Sequence, residues 1–400
     1  MATAAATPAV QPLDRRGIAL LSIAHVVNDA NQSALPAIIP WLIAHRGLSL
    51  TAAATLVLAM NLSSSIVQPV FGHLSDRRSL APVIAASMFL ATLGTAIIGF
   101  APSMPLMFFG ALVSGFGVAG FHPEASRFAN YFAGSQRATG MSWFTTGGYL
   151  GFAIGPIVIT PLLLAFGLHG AACLLLPGIV LAILLVRDLP RFETVRTVAR
   201  RTHHQRGGKD DWRGFSLMAA VVALRSTVFF AAVTFMPVFA ISVTHVDKAV
   251  ASIALAAMLL AGAAGTLWGG RLADRIDRRR VVVVSLVFTT FFFACIVALG
   301  AYFPSFALLV PLAMAFGLSI GLSAGVIVVM GQEYLPQRIG IAAGLTLGLS
   351  VTIGGLAAPL FGWIGDNHGL VAVFAAGSVF ALAATLVAPL MPKPPHVARA

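Results

Sequence analysis

The stretch "GRLADR", residues 270–275, occurs a second time in this chain with two changes, as "GHLSDR", residues 72–77. Each copy directly follows a long apolar run and ends in an aspartate and an arginine. The shared residues are Gly72, Leu74, Asp76 and Arg77 in the first copy and Gly270, Leu272, Asp274 and Arg275 in the second. Because internal repeats of this kind are typical of secondary transporters, the pattern predicts two related halves with a binding site between them.

The composition indicates a membrane protein. Of the 400 residues, 58% are hydrophobic and only 10% are charged, which is too little charge for the surface of a soluble protein of this length. Apolar runs long enough to cross a bilayer recur along the whole chain. We therefore predict an all-α integral membrane fold, with twelve transmembrane helices in two pseudo-symmetric six-helix bundles. The predicted spans are residues 17–44, 50–72, 80–101, 105–132, 137–166, 168–186, 214–244, 249–270, 281–301, 305–333, 338–364 and 369–391.

One long polar stretch, residues 187–213, separates the first six predicted spans from the last six. Its basic side chains can lie against anionic lipid headgroups. We expect five parts along the chain: a cytoplasmic tail (1–16), an N-terminal bundle (17–186), a cytoplasmic linker (187–213), a C-terminal bundle (214–391) and a second cytoplasmic tail (392–400).

The net charge of +12 is distributed unevenly, because the basic residues are concentrated in every second connection between the spans. This asymmetry follows the positive-inside rule and predicts that both termini are cytoplasmic. A charge that is explained by topology gives no reason to expect a nucleic-acid partner. The sequence has no ATPase phosphate-binding loop, no H-E-x-x-H and no G-x-S-x-G, so we predict no enzyme, no cofactor and no metal site.

The first span carries a stripe of polar side chains. His25, Asn28, Asp29 and Gln32 are spaced i, i+3, i+4 and i+7, which places them on one face of a helix. Such a face suits a water-filled cavity better than lipid. Asp29 is the preferred protonation site, and we assign His25 a proton or substrate role because histidine changes its charge near neutral pH. Asn28 and Gln32 are candidate substrate ligands.

Asp29 and Arg225 are predicted to lie at nearly the same depth in the first and seventh spans. With about 1.5 Å of rise per residue, Asp29 is roughly 18 Å from the inner end of its span. An intramembrane charge costs at least about 2.5–3.5 kcal/mol, so such residues are functional candidates by default. The two side chains can pair, either as part of a substrate site or as a structural ion pair. Asn61 and Tyr149 also lie near mid-depth, as substrate ligands or as polar groups that join helices.

The fourth span contains "GFHPEASRFA", residues 120–129, with three ionisable side chains near its cytoplasmic end. Glu124 and Arg127 are spaced i, i+3 and can pair on one face, whereas His122 points in another direction. Two roles are open. Glu124 and His122 can relay protons, or Glu124 and Arg127 can act as a latch that engages Asp76 and Arg77 of the neighbouring loop.

Twelve spans, a central basic loop and the repeated G-x-L-[SA]-D-R loop resemble the major facilitator superfamily over nearly the whole chain. The second copy, "GRLADRIDRR" at 270–279, fits the superfamily's loop closely, while the first has Ser79 and Leu80 where further basic residues are usual. The resemblance implies that the two loops, with Gly72, Asp76, Arg77, Gly270, Asp274 and Arg275, control which side of the protein is open. It therefore favours the latch role for Glu124 and Arg127.

A narrower resemblance links three spans to the fosmidomycin-resistance group of drug exporters. It is carried by "HVVNDANQSALPAIIP" at 25–40, "FHPEASR" at 121–127 and "LRSTVFFAAVTFMPVF" at 224–239. In the fifth span, Gly151, Gly155 and Pro156 form a G-x-x-x-G-P pattern that resembles the antiporter motif of such exporters, although ordinary close packing of helices would also explain it.

The resemblance implies proton-coupled export of fosmidomycin-like phosphonates or other small drugs by a monomer in the bacterial inner membrane. The implied partners are the small-molecule substrate, protons and the lipid bilayer. Electrostatics raises a difficulty, because protonation of Asp29 would free a paired Arg225 for an anion, and proton and anion would then favour each other. Exchange would need a drug that competes for Asp29, or another coupling group such as Glu124 or His122. The alternative function is a proton-coupled importer of small organic anions.

Overall fold

The computed structural model describes residues 12–47, 50–206, 209–246 and 248–394, and within these ranges the chain forms helices and no strand. Most of the two expected tails, residues 1–11 and 395–400, lies outside the described residues. The first half contains α1 (Arg15–Arg46), α2 (Leu50–Arg77), α3 (Ala81–Phe100), α4 (Met104–Ala133), α5 (Arg137–Phe166), a 3-10 helix (Gly167–Leu174) and α6 (Leu175–Arg187).

A further helix, α7 (Leu189–Arg206), lies in the polar stretch between the halves. Phe192 of α7 is buried among apolar side chains of the first half, with its ring 4.8 Å from that of Phe128 and 5.1 Å from that of Phe132. The second half contains α8 (Trp212–Thr244), α9 (Lys248–Arg275), α10 (Arg278–Tyr302), α11 (Phe306–Leu322), α12 (Ala324–Tyr334), α13 (Ile339–His368), α14 (Leu370–Val387) and a 3-10 helix (Ala388–Leu390).

The helices account for twelve membrane spans. Among the described residues, nine helical stretches are long and apolar enough to cross a bilayer, and one of them, Arg137–Arg187, contains both α5 and α6. The remaining two spans are α1, which carries the polar stripe, and α13, which contributes a shorter apolar stretch, Ile339–Ile353. On the outward faces, Ile66, Leu164 and Phe291 are more than half exposed, as expected for helices that face lipid.

Two predicted spans are not single helices. The sixth begins with the 3-10 helix, after Gly167 adopts a left-handed φ of 60° that an L side chain rarely takes. The tenth is divided at Ser323 into α11 and α12. Hydropathy predicts both as continuous spans because it reports how apolar a segment is and not its backbone hydrogen bonding.

Four clusters of buried apolar side chains hold the helices together. One lies entirely within the first six spans and another entirely within the last six. The other two cross between the halves, because Val328 and Val329 of α12 pack with the first half and Ala138 of α5 packs with the second. These crossing contacts lie at the end of the molecule that carries residues 72–77 and 270–275, which we call the repeat end.

Candidate functional site

Asp29 of α1 lies between two histidines in the interior of the first half. Its Oδ2 atom is 3.3 Å from Nε2 of His25, one turn earlier on α1, and its Oδ1 atom is 3.3 Å from Nε2 of His122 on α4. Oδ1 also accepts a hydrogen bond of 3.2 Å from the Asn28 side chain. All four side chains are buried. We call His25, Asp29 and His122 the two-histidine cluster.

The second ring nitrogen of each histidine determines whether a proton or another cation must lie between that histidine and Asp29. Nδ1 of His25 is 2.7 Å from the carbonyl oxygen of Phe144, and Nδ1 of His122 is 2.9 Å from that of Val118. A carbonyl only accepts, so both Nδ1 atoms must carry hydrogen, and a neutral ring then has a lone pair on Nε2. Each Nε2 faces an oxygen of Asp29, and two acceptors repel unless a proton or another cation lies between them.

The helix packing that positions the cluster depends on glycines of α5. A Cβ atom on Gly148 would lie 2.9 Å from both Oδ2 of Asp29 and Nε2 of His25, and one on Gly151 would lie 2.8 Å from Cβ of Asp29. The His25 ring also stacks on Phe144, with the ring centroids 4.3 Å apart. The close approach of α1 and α5 therefore fixes where the carboxylate and imidazole of α1 can point.

The G-x-x-x-G-P residues of α5 lie at this same crossing. A Cβ atom on Gly155 would be 3.1 Å from the carbonyl carbon of Ala30, so both Gly151 and Gly155 are positions where the backbones of α1 and α5 touch. The helix continues through Pro156 to Phe166. Close packing is thus observed for these residues, and their predicted gating role stays a prediction.

The two-histidine cluster also has the donor atoms of a metal site, which the spacing of these residues in the sequence does not suggest. One donor atom from each residue can be chosen so that all three lie within 4.8 Å of one another. Imidazole and carboxylate are ligands that suit several transition metals. A metal ion could therefore replace the shared proton, and tests of proton binding need a chelator control.

Arg225 of α8 does not pair with Asp29, so the predicted ion pair is wrong in this structure. Its Nε donates to Ser323 Oγ (3.0 Å), and its Nη2 donates to the Ile320 carbonyl oxygen (2.6 Å) and to the Tyr149 hydroxyl (3.3 Å). Depth along a helix predicts the height of a side chain, but it does not predict the direction in which the helix is rotated. Asp29 is turned toward α4 and α5, and it contacts His25 of its own helix and His122 of α4 in place of the arginine.

The cluster and Arg225 are nevertheless close to the same short segment of α5. The Gly148 backbone lies against Asp29, and the next residue, Tyr149, reaches Arg225 with its hydroxyl group. Tyr149 is partly buried and its ring packs against Phe229 of α8 with the centroids 5.5 Å apart. A rearrangement of α5 would therefore change the contacts of both charged groups.

The other predicted substrate ligands are hydrogen bonded to protein groups. Gln32 of α1 donates to Asn61 of α2 across 3.1 Å, an arrangement that joins the two helices. Asn28 donates to Asp29, and its own Oδ1 is buried and lacks a hydrogen-bond partner. Sequence reasoning missed Asn31, which donates to the Ala91 carbonyl and to Ser114 and so joins α1 to α3 and α4. It lies off the polar stripe, so its spacing gave no signal.

The predicted pairing of Glu124 with Arg127 is confirmed, with Arg127 Nη2 2.8 Å from Glu124 Oε1. Both side chains are almost completely buried. Glu124 Oε1 accepts a 3.0 Å hydrogen bond from the Leu80 backbone, and Arg127 donates to the Ser75 carbonyl oxygen. The pair therefore binds the backbone of the first repeated loop at Ser75 and the backbone just after it at Leu80. His122 points to Asp29 instead and belongs to a separate group of charges.

The first repeated loop, residues 72–77, forms the last turns of α2 and not the predicted connection between spans, and it contacts the second half of the chain. The Asp76 carboxylate accepts hydrogen bonds of 2.7 Å and 3.1 Å from the backbone N–H groups of Gly340 and Ile341, at the start of α13. A carboxylate is favourable there because the N-terminus of a helix carries unpaired N–H groups and a partial positive charge. A Cβ atom on Gly72 would lie 2.8 Å from the carbonyl carbon of Gly340, so glycine is what permits this approach.

The second repeated loop, residues 270–275, likewise forms the last turns of α9, and it makes the matching contact from the second half to the first. The Asp274 carboxylate accepts hydrogen bonds of 3.0 Å and 2.7 Å from the N–H groups of Ala138 and Thr139, at the start of α5. A Cβ atom on Gly270 would lie 2.5 Å from the Ala138 carbonyl oxygen. The two aspartates thus join the halves at the repeat end by a pseudo-symmetric pair of contacts, and this side of the molecule is closed. Arg77 and Arg275 are exposed at the ends of α2 and α9.

Further contacts at the repeat end were not predicted, because all but the Arg278–Asp274 contact join residues that are distant in the sequence. Gln332 of α12 donates to Ser126 and accepts from Asn130, both of α4. Arg278 lies 3.1 Å from Glu333 of α12 and 3.8 Å from Asp274. These contacts connect α12 both to the first half and to the second repeated loop.

Comparison with known sequences gives two overlapping matches to the profile of the Major Facilitator Superfamily, over residues 21–359 and 218–400. The chain is 30% identical over 363 residues to an uncharacterized MFS-type transporter of Bacillus subtilis, covering 88% of this chain and 87% of that protein. It is 27% identical over 371 residues to the fosmidomycin resistance protein of Escherichia coli, with the same coverage of 88% and 87%.

Solved structures with a similar fold are also transporters. The transporter FucP in its outward conformation aligns with a TM-score of 0.72 at 13% identity, covering 94% of this chain and 98% of that one. The proton:xylose symporter XylE aligns with a TM-score of 0.75 at 13% identity, covering 94% of this chain and 95% of that one. At this identity the likeness concerns the fold alone.

Proposed function

Because this chain belongs to the major facilitator superfamily of membrane transporters, we propose that it is a proton-coupled secondary transporter that exports small drugs of the fosmidomycin type by alternating access. The observation that carries the proposal is the two-histidine cluster, in which two Nε2 atoms with fixed tautomers face the Asp29 carboxylate. Such a cluster is a site for exchangeable protons inside the transport pathway. The superfamily fold and the resistance relative support the assignment to transport of drugs.

The charge of the cluster depends on how many protons it holds. With one shared proton, one of the two nitrogen–oxygen contacts becomes a hydrogen bond and the cluster is neutral. With two protons, both contacts are satisfied and the cluster has a charge of +1. Binding or release of each proton therefore changes the charge of the cluster by one elementary charge.

We assign Arg225 and Tyr149 to the binding of the drug. Arg225 is 92% buried and its three hydrogen bonds go to neutral oxygen atoms, so an anionic group such as a phosphonate would supply its missing counter-charge. Exchange requires that drug and proton exclude each other. We place the far polar end of the drug at Asp29, where its hydrogen-bond donors displace the shared proton.

The alternating step involves the repeat end, which we assign to the cytoplasmic side together with both termini. Opening toward the cytoplasm would break the contacts of Asp76 with α13 and of Asp274 with α5. The Glu124–Arg127 pair stabilises the closed state by holding the backbone of the first repeated loop. We further propose that the working protein is a monomer in the bacterial inner membrane, with bundles 17–186 and 214–391 and with residues 187–213 as the linker.

Reconstitution into proteoliposomes tests this function. The purified protein would be given an imposed pH gradient and a panel of phosphonates, cationic dyes and carboxylates, with and without a metal chelator. Drug flux driven against its gradient by proton movement in the opposite direction supports the proposal. The proposal is refuted if every solute of the panel moves at the same rate with and without the pH gradient.

Import of small organic anions with protons is the second candidate, and one observation favours it. A second proton gives the cluster a positive charge, and Arg225 has neutral partners, so proton and anion at these two sites would favour each other. The direction of coupled flux decides between the candidates. In the proteoliposome assay, an importer moves the anion in the same direction as the proton, and an exporter moves the drug in the opposite direction.

A further inference from the structure

The tenth span is interrupted at Ser323, and the interruption is where Arg225 is bound. α11 ends at Leu322 and α12 begins at Ala324. The Ile320 carbonyl, in the last turn of α11, accepts 2.6 Å and 3.2 Å hydrogen bonds from Arg225 Nη2 and from the Ser323 hydroxyl. The C-terminus of a helix carries a partial negative charge, so a guanidinium group is favourable at this place.

The Ser323 hydroxyl has a defined orientation in this arrangement. Its single hydrogen is directed to the Ile320 carbonyl oxygen at 3.2 Å, and its oxygen accepts from Nε of Arg225 at 3.0 Å. The hydroxyl therefore fixes the inner edge of the guanidinium group, while Tyr149 and Ile320 bind Nη2. Contacts to three residues, through two of its nitrogen atoms, hold a flexible side chain in one orientation.

All three contacts that hold Arg225 come from uncharged groups. Ser323 is completely buried and Arg225 is 8% exposed, so the positive charge lies in a region where water screens it poorly. A carboxylate at position 323 would hold the guanidinium group equally firmly, but it would also cancel the charge. A hydroxyl group positions the arginine and leaves its charge available to a ligand.

We propose that Ser323 is a positioning residue of the transport site, which orients Arg225 without neutralising it and thereby makes the site selective for solutes that carry a negative charge. The inference rests on the proposed function, since it concerns the solute that the transporter binds. It predicts that the class of substrate depends on a residue that lies outside the polar stripe of α1. This residue directly follows α11, a helix whose sequence contains no charged residue. Loss of the hydroxyl should weaken the binding of anions more than that of neutral compounds.

Three substitutions at this position separate positioning from packing. Ser323→Ala removes the hydroxyl, Ser323→Thr keeps it, and Ser323→Asp adds the charge that the native site avoids. The matched control is Ser319→Ala. Ser319 is one turn earlier on α11, is also buried, and its hydroxyl donates to the Ala315 carbonyl at 2.6 Å within its own helix.

The measurement is equilibrium binding to purified protein in detergent, without a proton gradient, with fosmidomycin as the anionic probe and its uncharged phosphonate diester as the neutral one. Since a hydrogen bond to a charged group contributes about 1.5–3 kcal/mol, Ser323→Ala should weaken binding of the anion by about tenfold or more. Binding of the neutral diester to Ser323→Ala should weaken by less than threefold. Ser323→Thr and Ser319→Ala should bind both probes like the wild type, and Ser323→Asp should bind the anion no better than the diester.

Transport kinetics in proteoliposomes give an independent readout, because Ser323→Ala should raise KM for the anion more than it lowers kcat. If Ser323→Ala weakens binding of the anion and of the diester by the same factor, the inference is overturned. Unchanged binding of the anion to Ser323→Asp would also overturn it. If Ser323→Asp does not fold, the Ala and Thr variants still decide the question. Wild-type protein that binds the anion but shows no coupling to protons would contradict the proposed function and leave this inference standing.

Discussion

Asp29 Oδ1 lies 3.3 Å from Nε2 of His122, so an acid of the first span and an imidazole of the fourth form one buried pair. With His25 on the other side, the carboxylate has an imidazole at each of its two oxygens. The tautomers fixed by the Phe144 and Val118 carbonyls make a proton, or another cation, a structural requirement of this pair. Proton binding is therefore connected directly to the packing of α1 against α4 and α5.

Replacement of Asp29 by asparagine should abolish proton-driven flux while the protein remains folded in the membrane. The asparagine side chain has the same size, but it cannot carry the negative charge that holds the shared protons between two imidazoles. Flux under an imposed pH gradient in proteoliposomes is the measurement, and Glu193→Gln, a change at a half-exposed carboxylate of α7, is the control. Wild-type coupling in Asp29→Asn would refute the assignment of the proton site.

Replacement of His122 by glutamine should reduce the number of protons exchanged per transported molecule. The amide can still donate to Asp29, but it does not take up a proton, so the cluster loses its doubly protonated state with a charge of +1. Proton movement measured with a pH-sensitive dye trapped in the vesicles, relative to solute flux, gives this ratio. His45→Gln is the matched control, since His45 is exposed near the end of α1, where it hydrogen bonds to the Trp41 carbonyl and stacks on the Trp41 ring. An unchanged ratio in His122→Gln would assign the exchanged protons to other groups.

Helix spacing predicted those parts of the site whose members lie on one helix. The stripe of α1 and the Glu124–Arg127 pair follow from residues three and four apart on a helix. The contact of Asp29 with His122 did not follow, because it depends on how α1 is rotated toward α4, and glycines of α5 such as Gly148 set that rotation. The twelve spans follow from hydropathy, whereas the interruption at Ser323 depends on hydrogen bonds to a side chain of another helix.

Removal of the two aspartate contacts at the repeat end should shift the protein toward the state that is open there. Each carboxylate of Asp76 and Asp274 accepts two backbone N–H groups, and hydrogen bonds to a charged group contribute about 1.5–3 kcal/mol each. The reporter is a cysteine introduced by Ser142→Cys, because Ser142 of α5 is buried against Gly270 and Gly325 at the repeat end. Asp76→Asn and Asp274→Asn should each increase its labelling rate, and the double variant should increase it further.

The labelling experiment needs a background without the native cysteines, Cys173 and Cys295. Asp188→Asn is the control, because Asp188 makes its ion pairs with Arg16 and Arg191 on the side of the first half. Its labelling rate should equal that of the parent protein. If the two repeat-end variants also label at the parent rate, the aspartates do not hold this side closed.

Gly72→Ala, which adds a single methyl group, should also shift the protein toward the state that is open at the repeat end. Its cause is a steric clash and not the loss of hydrogen bonds. A Cβ atom there would lie 2.8 Å from the carbonyl carbon of Gly340, closer than real Cβ atoms approach backbone, so α2 and α13 would have to separate. Alanine in a helix is otherwise more favourable than glycine by roughly 0.5–1 kcal/mol. Gly362→Ala in α13 has nothing within 4 Å of the added Cβ atom, so it shows this helix preference alone. Gly72→Ala should accelerate labelling at position 142 and Gly362→Ala should not; equal rates for the two variants would show that the α2–α13 crossing plays no part in closing the repeat end.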